Sequence, residues 1–590
     1  MIFFENNILK GIDMKKSVSF ILVISVFLSL ILSSGAFAFI KGDMNDDGAV
    51  DNKDVFTLFR YVSGGEKAEA ESLFDYNEDG SVDNKDVFAL FRFLTSGEGP
   101  EGSETTSDEY FEFTLLDDGT YEIRAINYDD LPKKIVIPEK HNGKPITTIG
   151  DFAFNGCSNI TSVTIPDTVT KIGYYSFMFC SALTDINIPE NVTVIEEGAF
   201  CGCSSLKSVT IPKNVTTINV DAFYLCDSLV SIKVDGNNKY FTSVEGILFN
   251  KDKTVLLTCP GAKSGNYTVP DSVKSIGYGA FSGCTNLTGV TIPDSVTLIA
   301  DWAFSDCLGL SSITIPKSVK EIGINVFSIC DSLTGIEVDG NNKYFSSFEG
   351  VLFNKDRTVL VAFPGAKTGD YTVPDGVKSI GDSAFYCCAG LNSVTIPGSV
   401  TLIDDWAFSY CSITSIKIPD SVTSISEYAF SHCINLTSIK IPNSVKEIDD
   451  YTFSGCTGLK SITIPGSVTS IGSYAFSDCS ALTSVKIPEG VTSIGSYSFS
   501  DCSALTSVSI SKGVTSIGDC AFGYCGSLAS VTIPDSVTSI GVYAFFDCGC
   551  LSDITYKGTK SQWKNISKGD CWDEYTGDYT VSCTDGKITK

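Results

Sequence analysis

The feature that most constrains this chain is a ladder of cysteines. Cys157, Cys180, Cys203 and Cys226 stand 23 residues apart, as do Cys284, Cys307 and Cys330. The series resumes at Cys388, Cys411, Cys433, Cys456, Cys479, Cys502, Cys525 and Cys548, with one step of 22. A period of this length means stacked repeats rather than a globule. One unit, residues 471–493, reads IGSYAFSDCSALTSVKIPEGVTS, with apolar residues at Ile471, Ala475, Phe476, Cys479, Leu482, Val485, Ile487 and Val491. Val485 and Ile487 alternate with polar neighbours, as a strand with one buried face requires. Pro488 ends that strand because it has no N–H to continue a ladder. Segment 472–480 turns the chain and tucks Ala475, Phe476 and Cys479 inside. One such unit cannot bury its apolar face alone, so stacking into a continuous core is expected.

The repeats run from 109 to 556, broken by two insertions at 234–270 and 338–374. The string VDGNNKYF at 234–241 recurs at 338–345, 104 residues on, so a block of repeats has been duplicated. Each copy continues into a hairpin pattern. Residues 557–590 depart from the repeat, carry Trp563 and Trp572, and read as a C-terminal cap. The consensus I-G-x-x-A-F-x-x-C-x-x-L-x-x-V-x-I-P resembles the leucine-rich repeats of BspA-type bacterial surface proteins. That resemblance implies a long β-rich solenoid used in adhesion or protein binding. A cysteine locked to a repeat is a packing position, since a free thiol behaves as a small buried hydrophobe. Of the 22 cysteines, Cys571 and Cys583 lie outside the ladder and are candidates to pair. Cys201, Cys259, Cys387, Cys520 and Cys550 are also off-register. A mostly reduced secreted protein suits an anaerobic bacterium.

Ahead of the repeats stand two copies of a twelve-residue pattern, 32 residues apart. Oxygen side chains fall at Asp43, Asn45, Asp47, Asp51 and Asp54, and again at Asp75, Asn77, Asp79, Asp83 and Asp86. Gly48 and Gly80 take the sixth position. This is the spacing with which a looped backbone wraps a Ca²⁺ ion in oxygen ligands, so two ions are expected. An amphipathic helical pattern follows each loop, with Val55, Phe56, Phe59 and Val62 on one face in the first copy. An EF-hand has a helix before its loop and usually Glu at its twelfth position. If the chain is cleaved after Ala38, only residues 39–42 precede the first loop, and Asp occupies the twelfth position in both.

Paired loop–helix halves of this kind resemble a type I-like dockerin, covering 39–97, so the fold class is multidomain: a small α module plus the solenoid. The resemblance implies calcium-dependent docking on a cohesin of a scaffoldin. It places the cohesin contacts at Asn52, Lys53, Phe59 and Arg60, and at Asn84, Lys85, Phe91 and Arg92, with Gly64 and Ser96 at the ends. The Ser-Thr pair frequent at loop positions 10 and 11 of some dockerins is absent, which leaves the cohesin type open. Residues 98–108 have linker composition.

The N-terminus reads as a targeting segment. Met14 begins a basic start, 18–32 is apolar, and Ala36-Phe37-Ala38 forms a cleavage site, so 14–38 is expected to be a signal peptide and 1–13 a mis-assigned start. An uncleaved anchor is the alternative; after cleavage no membrane span is expected. Net charge is −28, which disfavours nucleic acid as a partner. The expected location is extracellular, on a cellulosome or cell surface.

No catalytic residue is assigned, because the sequence lacks a nucleophile elbow, a zinc motif and a phosphate loop. The two histidines, His141 and His432, read as exposed bystanders. The strand position between the two inward residues reads Thr164, Asn187, Thr210, Thr291, Thr314, Thr395, Lys417, Lys440, Thr463, Lys486, Ser509 and Thr532, with no acid among them. Lys417, Lys440 and Lys486 make a basic strip suited to an unknown protein or polysaccharide ligand. Trp302 and Trp406 occupy one slot of the duplicated block; packing or sugar stacking could explain them. An enzyme or auxiliary factor of plant-polysaccharide breakdown is the alternative class.

Overall fold

The computed structural model describes residues 105–126 and 128–590. The targeting segment 14–38, both calcium loops with their ten oxygen ligands, and the cohesin-contact residues Asn52 to Arg92 lie outside the described residues. Residues 107–590 form one compact unit.

Each rung of this unit has three walls. The first is the expected strand. Ser484–Ile487, Ser507–Ile510, Ser530–Ile533 and Asp553–Tyr556 pair in parallel and in register, Val485 with Val508 and Val508 with Val531. Inward Val485 and Ile487 are buried while Ser484 and Lys486 are exposed. The second wall is a two-residue parallel strand that the repeat pattern does not announce: Ser470–Ile471, Ser493–Ile494, Ser516–Ile517 and Ser539–Ile540.

The third wall is the turn containing Ala-Phe-x-x-Cys. It too is hydrogen-bonded between rungs: the N–H groups of Tyr474, Phe476 and Asp478 donate to the carbonyls of Ser496, Ser498 and Ser500 at 2.8–2.9 Å. Two residues four apart in each turn adopt left-handed backbone, for example Tyr474 (φ 56°) with Asp478 (φ 58°), and Tyr497 (φ 57°) with Asp501 (φ 59°). Such a backbone costs an L residue about 1–2 kcal/mol. The bonds to the next rung keep that buried backbone satisfied.

The buried phenylalanines stack. Phe385, Phe408, Phe430, Phe453, Phe476, Phe499, Phe522 and Phe545 succeed one another at 4.8–5.6 Å with nearly parallel planes. Beside them the cysteines are buried free thiols, as expected, but they do more than fill space. Cys479 Sγ donates to the carbonyl of Phe453 at 3.3 Å, Cys456 to Phe430 at 3.1 Å and Cys180 to Phe154 at 3.1 Å. The ladder thus ties each rung to the one before.

The core is not one continuous ribbon. It divides into three hydrophobic clusters at the two insertions. The strand Ile247–Asn250 runs between rungs with three consecutive buried residues. Leu248 packs into the N-terminal cluster, whereas Ile247 and Phe249 pack into the next. Val351–Asn354 repeats the arrangement, with Leu352 facing back and Val351 and Phe353 facing forward. Each insertion is therefore a septum. It is pinned by a buried asparagine: Asn238 donates to the carbonyls of Pro212 (2.8 Å) and Val215 (3.0 Å) and accepts from the N–H groups of Tyr240 and Phe241 (2.8 Å each). Asn342 does the same in the second copy. With every polar atom partnered, burial carries no penalty, which accounts for the recurring VDGNNKYF string.

At the C-terminus, helix Lys560–Asn565 opens on a capping box between Thr559 and Gln562 and buries Trp563. Strands Thr580–Cys583 and Gly586–Thr589 close the strand wall as an antiparallel pair. Among the described residues no helix is long and apolar enough to cross a membrane.

Candidate binding faces

The strand wall is a face of short polar side chains. Lys417, Lys440 and Lys486 all point outward and are exposed. Lys417 and Lys440 stand on adjacent rungs, since their strands pair at Ile416 and Ile439. Lys440 lies opposite Thr463. The structure adds members to this column on the two rungs whose strands lack the closing Ile-Pro of the consensus. Lys233 lies beside Thr210, and Glu337 beside Thr314. Glu337 corrects the expectation of an acid-free column: the insertion rungs carry the same outward position, and one of them holds a carboxylate.

The threonine column beside the short-strand wall is structural. Thr469 Oγ1 donates to the carbonyl of Lys446 at 3.1 Å, Thr492 to Thr469 at 3.2 Å and Thr515 to Thr492 at 3.1 Å. The hydroxyls in the Thr463 column of the strand wall make no such bond among the described residues.

The turn wall carries aromatic rings in register. Trp406, Tyr428, Tyr451, Tyr474 and Tyr497 stack at 4.0, 4.4, 4.6 and 4.7 Å with planes within 7° of parallel. All five are half-buried. Each ring lies against its neighbour's face, so a sugar meets ring edges rather than a platform. Trp302 is half-buried and meets Tyr386 edge-on at 6.5 Å. Both tryptophans pack. The histidines do too, against expectation. His432 is half-buried, stacks on Tyr410 at 4.5 Å and bonds Ser431 Oγ through Nδ1 at 2.8 Å. His141 stacks on Phe113 at 3.8 Å and bonds Asp108 at 3.0 Å. Neither lay in a recognisable sequence pattern, because the turn register that lines up their ring partners is not visible from hydropathy. Where glycine replaces the aromatic, the preceding ring takes the space: a Cβ on Gly198 (φ 59°) would lie 2.3 Å from Tyr175.

Each septum interrupts the turn wall and leaves a cleft. The first, about 100 Å³, is lined by Asn219, Asp221, Tyr224, Leu248, Leu257 and Tyr278. The second, about 20 Å³, is lined by Asn325, Ser328, Phe363, Asp382 and Tyr386 among others. Burial, and then the charge of Glu197, pushes the Asp221 carboxyl up to about 6. Tyr224 Oη donates to Asp306 at 2.6 Å across the gap. Neither cleft brings a nucleophile and a base together, and among the described residues no cluster of His, Cys, Asp and Glu could hold a metal ion. Burial pushes the Cys157 and Cys456 thiols up to about 12, so the ladder stays protonated and unreactive. Cys571 and Cys583 are free thiols rather than a disulfide, one exposed and one half-buried. Of the other off-register thiols, Cys201, Cys259 and Cys520 are buried, Cys387 is half-buried and Cys550 is exposed.

These walls define a leucine-rich-repeat solenoid with outward faces and no reaction centre among the described residues. The chain matches the BspA type leucine rich repeat region over residues 128–251, 261–354, 361–483 and 446–568, and it belongs to that family. Residues 41–95 of the same chain match the dockerin type I domain. Both are binding modules rather than catalytic ones. Solved structures similar to the chain include a leucine rich cell surface protein from Faecalibacterium prausnitzii, 29% identical over 79% of this chain and 98% of that one, with a TM-score of 0.33. Another is a leucine-rich repeat protein from Eubacterium ventriosum, 26% identical over 64% of this chain and 93% of that one, TM-score 0.34. A third, from Bacteroides capillosus, is 33% identical over 23% of this chain and 100% of that one, TM-score 0.21. No curated protein matches the chain.

Proposed function

We propose that this is a secreted binding or adhesion protein of a cellulosome-type assembly. Its dockerin attaches it to a scaffoldin cohesin, and its solenoid presents the strand wall to a protein or a glycan. The observation that carries the reading is the pairing in one chain of a dockerin type I match with a leucine-rich-repeat solenoid. Two Ca²⁺ ions, one in each loop, would be held by Asp43, Asn45, Asp47, Asp51 and Asp54, and by Asp75, Asn77, Asp79, Asp83 and Asp86. Crowding carboxylates in each loop makes folding of such a module depend on the cation. Asn52, Lys53, Phe59 and Arg60, or their counterparts Asn84, Lys85, Phe91 and Arg92, would face the cohesin. The near-identical halves allow docking in either of two orientations.

The test is capture of the full chain by a panel of immobilised cohesins. The reading predicts capture with calcium and release with EDTA. It also predicts that changing Asn52, Lys53 and Arg60 together leaves capture largely intact, whereas changing the second copy as well abolishes it. Failure of every cohesin to retain the calcium-loaded chain would remove the scaffoldin from the account.

A further inference from the structure

The chain carries a net charge of −28, yet one stretch of its strand wall reverses that sign. On successive rungs from 414 to 532, the outward positions of the long strands hold Lys417, Lys440 and Lys486 and neither Asp nor Glu, and Lys460 stands immediately before the strand Ser461–Thr463. All four lysines are exposed. Among the described residues none of them takes part in an ion pair, although lysines elsewhere do, such as Lys171 with Glu196 and Lys317 with Asp294. With a Debye length of about 8 Å at physiological ionic strength, the distant acidic surface is screened. The strip therefore presents local positive charge to whatever lies on it.

Three further observations narrow the ligand. First, the lysines alternate with hydroxyls. Ser415, Ser438, Ser461 and Ser484 form an exposed column beside them, and rungs repeat about every 4.8 Å. That is a ladder of hydrogen-bonding groups and charges along one line, suited to an extended polymer. Second, among the described residues no aromatic ring points outward from these strands, so a neutral sugar has no face to stack on. Third, no large apolar side chain points outward there either. Specific protein interfaces centre on aromatic or apolar anchors in desolvated pockets, and this face has none. What it offers is charge plus hydroxyls in a regular row.

Building on the reading of the solenoid as a binding module, we propose that the strand face spanning 414–532 binds a polyuronate, an acidic polysaccharide with one carboxylate per sugar. The lysine ammoniums meet the carboxylates, and the Ser and Thr hydroxyls exchange hydrogen bonds with those of the sugar.

Affinity electrophoresis of the full chain through polygalacturonate tests this. Retardation is expected on the acidic polymer, weakening as salt rises, and absent on its fully methyl-esterified form. Changing the four lysines together to glutamine should weaken retardation roughly tenfold, while changing them to arginine preserves it. An unchanged melting temperature for both variants excludes unfolding as the cause. Retardation undiminished in the glutamine variant would overturn the assignment of this face. Equal retardation on the methyl-esterified polymer would overturn the acidic ligand while leaving a glycan-binding solenoid. Equally tight binding of poly-glutamate would point to an acidic protein instead. Binding of none of these polymers would sink the polyuronate, and cohesin capture, measured separately, would still decide the docking role.

Discussion

Thr463 and Lys486 stand one rung apart on the strand wall, exposed, and their side chains make no hydrogen bond or ion pair among the described residues. Tyr474 and Tyr497, also one rung apart, stand on the turn wall and stack at 4.7 Å from left-handed backbone. One repeat unit thus supplies both an outward position released from structural duty and one committed to it. The difference teaches where this solenoid can vary. A change on the strand wall alters what the surface presents. A change on the turn wall disturbs the hydrogen bonds and stacking that hold neighbouring rungs together.

The contrast should be largest in the core beneath the turn wall. Phe476 is fully buried between Phe453 and Phe499. Phe476→Ala should cost about 3–5 kcal/mol, whereas Lys486→Gln should stay within about 0.5 kcal/mol. Urea unfolding of the two variants measures both, and comparable losses would erase the distinction between walls.

The next effect separates stacking from backbone strain. Tyr474→Val removes a half-buried ring and forces a β-branched residue into φ 56°, so a loss of about 1–3 kcal/mol is expected. Tyr474→Gly removes the same ring but relieves the strain, and thermal melting should show it the less damaging of the two. The reverse order would mean that left-handed backbone is not what limits this position.

The smallest effect concerns the first cleft. The Asp221 carboxyl is raised from its ordinary 3.8 to about 6, so the folded chain holds its proton more tightly than the unfolded chain. Stability from this group therefore falls as pH rises from about 4 to 6, and the deficit is complete above that. Asp221→Asn should stabilise the protein at pH 7 by about 1 kcal/mol once solvent screening at this half-buried position is allowed for. The gain should vanish below pH about 4. Asn325 already occupies the matching place in the duplicated block, with φ 55°, so the backbone accepts the change. A gain that persists at low pH would point to packing rather than charge.

Much of this architecture is legible in the sequence. The period of 23, the inward Val485 and Ile487, the stop at Pro488 and the burial of Phe476 and Cys479 all follow from spacing and hydropathy. What escapes has physical reasons. A strand as short as Ser470–Ile471 has no alternation to detect. The hydrogen-bonded turn wall depends on backbone conformation at Tyr474 and Asp478, neither of which is glycine. The septum at Ile247–Phe249 is apolar on both faces, so a periodicity of two cannot separate it from an ordinary buried strand. The cysteine ladder shows in its spacing, but the Sγ donation to a phenylalanine carbonyl shows only in three dimensions. Of the candidate faces, Lys417, Lys440 and Lys486 are legible from the strand register alone, while Glu337, one full period after Thr314, is hidden because its strand runs into Val338-Asp339 without the closing Ile-Pro of the consensus.

Amine-reactive labelling of the full chain with and without polygalacturonate tests the central claim most directly. Lys417, Lys440 and Lys486 on the strand wall with Lys460 at its margin, and Lys274, Lys378 and Lys446 beside the short-strand wall, are all exposed lysines of the one solenoid. The account predicts protection of the first group by the polymer and unchanged labelling of the second. Uniform protection, or protection of the second group alone, would contradict it.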